Sequence, residues 1–565
     1  MQVTGTAEII QSAADCHLAG RFQHAEQLYR LLLQSDANRA GIYTNLGIVL
    51  RAQGKLDEAI ANYAEAIRLE PESTEAHFNL ANALKEHGRC DEAVQSYKRA
   101  ITLKPDFAEA HYNMANALRT RGRHNEAISN YERAIQLKPD YAKAYNNLGL
   151  ALRKLGRLTE AIENYRKAIR LRPDYAEAYN NLGIALKDQE RFAEAIESYK
   201  LATQFKPDYA EAYYNLANAQ RNQEQIEHAI ENYAQAIRLK PDHADAHWNK
   251  SLALLSSGRF IEGFKEYEWR RHIDLKTIAY PHHHLVPRWD GLCFEGKRLL
   301  VHYEQGLGDS LQFVRYLPSV KARGGTVIFE SLKPLMGLLR GLDAIDELVE
   351  TSFDRKPAVK FDLYASLMDL PGIFQTTLKT IPAEVPYLYA DPTKAEYWKN
   401  RLAEADFKVG IVWAGSPAHK SDHERSCPLE CFAPLAEITC VRLYGLQKGP
   451  AAVQVKDLAG TMSIEDLAEQ FADFTDTAGA IENLDLVISV DTAVAHLAGA
   501  MGRPVWVLLQ SAPDWRWMLN RTDSPWYPTM RLFRQRKPND WSDVLGRVAD
   551  ELKKHVDAWS IQAND

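Results

Sequence analysis

Cysteine is sparse and unpatterned: Cys16, Cys90, Cys293, Cys427, Cys431 and Cys440 are the only six in 565 residues, and no two form a Cys-x-x-Cys pair. That argues against a disulfide scaffold or a thiolate zinc site and suits a reducing, cytoplasmic setting. Long apolar runs are missing too. No stretch approaches the about 18 apolar residues that a membrane span needs, and the longest candidate, "PVWVLLQSA", has the length of a buried strand. The N-terminal "MQVTGTAEIIQSAAD" has no basic region ahead of an apolar core, so no secretion signal is expected. Nor is there an excess of positive charge. With 68 basic and 75 acidic residues the net charge is −7, which gives no bulk attraction for nucleic acid or an anionic membrane. The length exceeds what one core organises and predicts about two to four domains.

What the first half does have is a period. Prolines stand at 71, 105, 139, 173, 207 and 241, each 34 residues after the last. Ala59, Ala93, Ala127, Ala161, Ala195 and Ala229 are each followed four residues later by a tyrosine, Tyr63 to Tyr233. Gly20, Gly54, Gly88, Gly122, Gly156 and Gly258 fall in register where a helix C-cap needs positive φ, with Glu190 and Glu224 in two copies, where a looser turn is expected. Asp106 with Glu109, Asp174 with Glu177 and Asp208 with Glu211 have capping-box spacing, and Asp140 is a cap candidate. Two helical patterns per 34 residues are the signature of tetratricopeptide repeats. About eight are expected over residues 1–276, stacked as an α-solenoid because one helix pair cannot bury its own apolar face.

One polar position recurs within that pattern. Asn45, Asn79, Asn113, Asn147, Asn181, Asn215 and Asn249 occupy one place in seven consecutive repeats. Asn is about 0.6 kcal/mol worse than Ala inside a helix, so seven copies forgo about 4 kcal/mol, a large share of a domain's stability. Two readings stand. Each amide bonds the backbone of the neighbouring repeat and pins the stacking, or the amides form a peptide-binding row, each offering donors and an acceptor to an extended chain. The recurring tyrosines of the first helix, such as Tyr145 and Tyr179, read as packing.

After residue 276 the pattern changes. Residues 277–294 read as a linker; its His282–His284 lack a carboxylate or cysteine at ligand spacing. Short apolar strands then alternate with helical patterns: Leu299–Tyr303, Thr326–Glu330, Phe361–Tyr364, Val409–Trp413, Val441–Leu446, Leu486–Val490 and Val505–Leu509. This predicts α/β architecture with parallel sheets, in two lobes, 295–395 and 396–565, the second ending in a helix. Ligands in such folds bind at the carboxyl ends of the strands.

Several strand ends carry the right chemistry. Gly306-Leu307-Gly308-Asp309 lacks the third glycine of a dinucleotide fingerprint, and no Gly-Lys-Ser/Thr follows to make a P-loop. Two glycines nevertheless allow close backbone approach, and Asp309 either caps the helix or faces the cleft as a base. "VWAGSPAHKSDHER" supplies Gly415, Ser416, Lys420 and Arg425, a glycine turn with cations that suits a diphosphate. Gln447 and Lys448 sit at the next strand tip, and Asp491-Thr492 open a small-residue helix whose amides favour an anion. His496, one turn in, is either ligand-facing or a core histidine. No Asp-x-Asp cluster stands in these loops, so metal-independent chemistry without a cofactor is expected. The aromatic "APDWRWMLNRTDSPWYP" reads as packing.

"GLGD" together with "SVDTAVAHLAGAMGRPVWVL" resembles the lipopolysaccharide heptosyltransferases over most of residues 295–535. Behind a tetratricopeptide superhelix with an asparagine row, the arrangement also resembles O-linked N-acetylglucosamine transferases, with Gln447, Lys448 and "GRPVWV" echoing their loops. The whole is similar to bacterial tetratricopeptide proteins with a glycosyltransferase-like C-terminus. The resemblance implies two Rossmann-like lobes of GT-B type and a nucleotide-sugar donor as substrate. It implies Asp309 as general base, Lys420 or Arg425 as the phosphate-binding cation, and Asp491 with Thr492 as nucleotide-sugar contacts. Its expected acceptor is a protein or peptide held by the repeats. A scaffold with a degenerate transferase domain, or a transferase acting on glycan or lipid, is the alternative.

Overall fold

A computed structural model describes residues 6–273, 285–351, 359–402, 406–417, 422–458 and 460–564. The chain divides into two compact units, Met1–Gln225 and Ile226–Asp565.

Thirteen helices, Thr6–Leu18 through Ala210–Asn222, make up the described part of the first unit. Repeat units alternate a 13-residue first helix with a 14-residue second one, as in Ala142–Lys154 and Leu158–Leu171. Tyr29, Tyr63, Tyr97, Tyr131, Tyr165 and Tyr199 are fully buried between the helices of their repeats, each ring contributing about 1.5–3 kcal/mol. First helices of successive repeats touch one another while second helices do not pack comparably, so the first helices line the inner face.

Two local expectations need correction. Glu190 and Glu224 do not loosen their turns: they adopt φ of 61° and 57°, beside +77° at Gly54 and +74° at Gly156. The cap bonds are kept, Arg191 N–H to Leu186 O at 3.0 Å matching Arg157 N–H to Leu152 O at 3.0 Å. Left-handed backbone at a glutamate costs about 1–2 kcal/mol, which the rest of the repeat overrides. The aspartates after the prolines are not caps. The helices begin two residues later, with Phe107, Tyr141, Tyr175 and Tyr209 at the N-cap and no side-chain bond there. The Pro-Asp pair is held in a turn closed by Tyr141 N–H to Lys138 O at 3.1 Å.

The second unit contains the remaining repeat helices, Ile226–Leu239, Ala244–Ser256 and Phe260–Tyr267. The division between the compact units, at 225/226, therefore falls inside the repeats and not at their expected end near residue 276. The physical reason is burial: Phe260, Phe264 and Tyr267 meet Trp515 edge to face, and Phe260 stacks on Trp526, in one core with the α/β part. The expected linker, 277–294, is described only in part. Residues 277–284, with His282–His284, lie outside the described residues, whereas Trp289 is buried and its N–H bonds Tyr364 O at 2.8 Å.

Among the described residues ten strands form two all-parallel sheets. β1 (Arg298–His302), β2 (Thr326–Ser331), β3 (Glu347–Glu350) and β4 (Leu363–Ser366) are ordered β3-β2-β1-β4. β5 (Phe407–Val412), β6 (Val441–Gly445), β7 (Ile464–Asp466), β8 (Leu486–Val490), β9 (Val505–Leu509) and β10 (Met530–Arg534) are ordered β10-β9-β8-β5-β6-β7. Counted from its own first strand, each sheet runs 3-2-1-4, and the second continues 5-6. That is the doubly wound order, with its crevice between first and fourth strands. β3, β7 and β10 were not expected from the sequence. Two are short, half-exposed edge strands carrying charges, and the third, "MRLFR", is also at a sheet edge and has its apolar residues interrupted by Arg531 and Arg534.

Candidate functional site

The polar chemistry of the second unit gathers at strand ends. In the four-stranded sheet the crevice between β1 and β4 is filled by the protein itself. Arg270, on the 3-10 turn Glu268–His272, is buried and reaches Glu304 with Nε and Nη2, both at 2.9 Å, and Asp369 with Nη2 at 2.6 Å. Arg271 also pairs with Asp369, Arg288 Nε lies 3.2 Å from it, and Ser366 donates to Glu304. Burial would raise the Asp369 pKa, but the three guanidiniums hold it well below the usual carboxylate range, and Arg270 does the same for Glu304.

The six-stranded sheet has its crevice between β5 and β8. From β5 the chain runs into Trp413-Ala414-Gly415. A Cβ at Gly415 would meet Asp422 Oδ1 at 2.5 Å and Arg425 Nε at 2.6 Å, so glycine lets that ion pair lie on the backbone. Gly415 N–H donates to Ser426 Oγ at 3.0 Å, and Ser416 is exposed. Lys420 lies outside the described residues. Gln447 is buried, and its Oε1 accepts from Trp413 N–H at 3.1 Å and Ala414 N–H at 2.8 Å, so its amide braces the loop beneath the crevice. Lys448 donates to Phe471 O.

Asp491 follows β8, and Thr492 is the N-cap of Ala493–Ala500, its hydroxyl 2.8 Å from Ser489 Oγ. Burial, reinforced by Asp514, pushes Asp491 up to about 6. His496 Nε2 stands 3.9 Å from Asp491 Oδ1 and Nδ1 is 3.0 Å from Tyr527 OH, while the ring stacks on Trp517. Burial, with Arg516 and Arg315 nearby, pushes His496 down to about 3, so the imidazole is neutral at pH 7.

The glycine loop of the other lobe meets this cluster. Gly306 is the N-cap of the helix Leu307–Phe313, and its N–H donates to Asp309 Oδ2 at 2.8 Å. A Cβ at Gly308 would come within 2.9 Å of His496 Cδ2, so that glycine sets the approach of the two helices. Asp309 is both the cap and one partner of Arg516, and burial raises its pKa despite that guanidinium. Arg516 is the residue that sequence reasoning missed. It is buried and bonds Gln312 Oε1 at 2.9 Å and Asp514 Oδ1 at 2.7 Å besides Asp309. Charges alternating with tryptophans, Asp514-Trp515-Arg516-Trp517, were its signal. A cleft of about 310 Å³ lined by Val314, Arg315, Pro318, Leu342 and Ala344 shares Arg315 with the surroundings of His496 and contains none of Asp309, Asp491, His496 and Arg516. Among the described residues no three His, Cys, Asp or Glu converge as a metal ligand set.

In the first unit the asparagine row bonds from repeat to repeat through side chains, not backbone. Asn113 Nδ2 donates to Asn82 Oδ1 at 3.2 Å and Asn147 Nδ2 to Asn116 Oδ1 at 2.9 Å. Asn181 Nδ2 donates to Asn146 Oδ1 at 2.9 Å and Asn215 Nδ2 to Asn180 Oδ1 at 3.0 Å. The acceptor therefore changes place. Where Phe78 or Tyr112 stands, the acceptor is four residues later at Asn82 or Asn116; where Asn146 or Asn180 takes that place, Leu150 or Ile184 follows. Tyr97 and Tyr131 donate their hydroxyls to Asn82 and Asn116 at 2.6 and 2.7 Å, whereas the Tyr63 and Tyr199 hydroxyls are buried without a hydrogen bond. Asn45 is half-buried and Asn79 buried; Asn249, in the second unit, is half-buried.

Comparisons with known proteins bear on the repeats. Family models described as "TPR repeat" match residues 115–156, 149–190 and 185–223, and models described as "Tetratricopeptide repeat" match 44–108, 96–129 and 210–243. Protein FlbA of Caulobacter vibrioides is 28% identical over 327 residues, which are 54% of this chain and 54% of FlbA, so the chain spans about half the length of that relative. Among solved structures, MamA protein is 30% identical with a TM-score of 0.29, over 30% of this chain and 94% of that one. YrrB, titled a TPR protein with an unusual peptide-binding site, is 27% identical with a TM-score of 0.30, over 34% and 98%. No helix among the described residues is long and apolar enough to cross a membrane. Residues 44–243 are thus a run of tetratricopeptide repeats, a scaffold that supports protein–protein interaction.

Proposed function

We propose that the chain is a metal-independent glycosyltransferase of GT-B type, moving a sugar from a nucleotide-sugar donor to a polypeptide held by the repeats. The observation that carries this reading is the convergence of Asp309, Arg516, Asp491 and neutral His496 where the strand ends of two doubly wound sheets meet. Carboxylates that burial holds above their ordinary pKa are suited to accepting a proton near neutral pH.

In the transfer, the acceptor oxygen bonds the anomeric carbon as the bond to the diphosphate breaks, and the hydroxyl proton passes to a carboxylate. Asp309 is that base in this reading, and its contact with Arg516 gives the step a trigger. An arriving diphosphate competes for the Arg516 guanidinium, and as the pair loosens the Asp309 pKa rises further. Arg425, Lys420 and the amides after Thr492 stabilise the leaving diphosphate. Gln447 supports the loop rather than touching the donor.

One observation favours a second reading, a scaffold with a silent transferase fold: both Asp309 oxygens are already engaged, by Gly306 N–H and Arg516. Titration calorimetry with UDP, GDP, ADP and dTDP separates the two. Binding of one of them, weakened at least about tenfold by Asp491→Ala, supports the transferase; no heat with any supports the scaffold. Mass spectrometry of co-expressed protein then reports sugar addition, which Asp309→Asn lowers by about 10²–10⁴-fold.

A further inference from the structure

A second 34-residue series runs through the first unit beside the asparagines. Arg51, Lys85, Arg119, Arg153, Lys187 and Arg221 occupy one position of the first helix in six consecutive repeats, in a chain whose net charge is −7. In a repeat such as Asn113, Asn116, Arg119, the spacing of three keeps amides and cation on one side of the helix. Contacts between neighbouring first helices, Arg153 Nη1 to Asp188 Oδ2 at 3.0 Å and Arg51 Nε to Glu86 Oε2 at 3.8 Å, put the row on the same inner face as the amides.

The row is under-neutralised. The residues following the six cations contribute Glu86 and Asp188 but also Lys154, so the face carries seven cations against two carboxylates. Acids at the other end of these helices are matched by other groups, Glu109 to Lys138 at 3.7 Å and Glu177 to Lys206 at 3.0 Å. All six cations are half-buried. Nε of Arg119 and of Arg153 have no hydrogen-bond partner, and burial lowers the Lys85 pKa. Cations desolvated in this way attract an anion more strongly than exposed ones do.

The pitch constrains the ligand. Packed helices stand about 8–10 Å apart, and a polyproline-type chain rises about 3.1 Å per residue with three residues per turn, so every third side chain returns to one face after about 9 Å. Between the cations lie Asn82, Asn116, Leu150 and Ile184, and the aromatic rings beside them, Phe78 and Tyr112, give way to Asn146 and Asn180 in the following repeats. There is thus no continuous series of rings for successive bases to stack on, which favours a polypeptide over a nucleic acid.

We propose that the inner face of the first unit binds an extended polypeptide bearing an acidic side chain at about every third residue, each acid meeting one cation of the row while its backbone follows the amides. This rests on the reading that the repeats hold a polypeptide, and adds what that polypeptide is.

The test is fluorescence anisotropy of the full chain with labelled peptides of repeated Glu-Pro-Pro and repeated Gln-Pro-Pro, and with oligothymidylate. The Glu peptide is expected to bind at least about tenfold tighter than the Gln peptide, with an affinity that falls steeply with salt. The double variant Arg119→Gln, Arg153→Gln, checked for unchanged melting, removes that preference. Should the variant not fold, the Glu-against-Gln comparison and its salt dependence in the unaltered chain decide. Equal binding of the two peptides overturns this inference and leaves peptide holding intact. Binding of neither overturns both, and tighter binding of oligothymidylate overturns the acidic peptide in favour of nucleic acid.

Discussion

The two parallel sheets share one strand order, and their crevices are furnished in opposite ways. Between β1 and β4 the carboxylates of Glu304 and Asp369 are met by Arg270, Arg271 and Arg288 and held below their ordinary pKa. Between β5 and β8 Asp491 has no such partner, and burial with Asp514 lifts it to about 6. The same topology thus gives one crevice closed by structural ion pairs and one in which burial of Asp491 outweighs the attraction of Arg425 and Arg516. A carboxylate held above its ordinary pKa in a cleft is a candidate for proton transfer, whereas one held below it by arginines is a structural joint.

The largest effect that would break this contrast is removal of the closing arginine. Arg270→Met leaves Glu304 and Asp369 buried without their main partner, and a loss of about 3–5 kcal/mol is expected from urea unfolding. A loss below about 1 kcal/mol would mean that the first crevice is not held by this pair.

Asp491→Asn sharpens the contrast through pH. With a folded pKa of about 6 against about 3.9 unfolded, the folded state keeps its proton to higher pH. The penalty is therefore absent below pH of about 4 and complete above pH of about 6. The asparagine variant is expected to be more stable than the parent by up to about 3 kcal/mol at pH 8, and unchanged at pH 4. Equal stability at both pH values would place Asp491 among the compensated groups.

The smallest effect carries the same contrast of paired and unpaired polar groups into the repeats. Tyr131→Phe, which removes a hydroxyl bonded to Asn116, should cost about 1 kcal/mol in thermal unfolding. Tyr199→Phe, whose hydroxyl has no partner, should cost nothing or stabilise. Equal losses would show that the Tyr199 hydroxyl is satisfied in solution.

The features that were legible in the sequence are periodic or local. The 34-residue spacing gave the solenoid, and apolar runs such as Leu486–Val490 and Val505–Leu509 gave central strands to the residue. Gly308 and His496 were picked out as separate motifs, and the structure brings them together. The arginines that define both crevices were not legible. Arg270 meets Asp369 across 99 residues and Arg516 meets Asp309 across 207. No pattern near either residue encodes such a pair. The caps failed for a related reason, since Pro-Asp turn geometry competes with helix initiation and wins at Asp140.

The moving acceptor of the asparagine row has a consequence for how the repeats can change over generations. Phe78 with Asn82 and Tyr112 with Asn116 are one allele of a two-residue unit; Asn146 with Leu150 and Asn180 with Ile184 are the other. Exchanging one member alone removes the acceptor or doubles it, while exchanging both slides it by one helical turn and keeps the rung. The two positions are thus coupled, and the row of amides from Asn113 to Asn215 stays unbroken although its acceptors sit at two different heights on the helix.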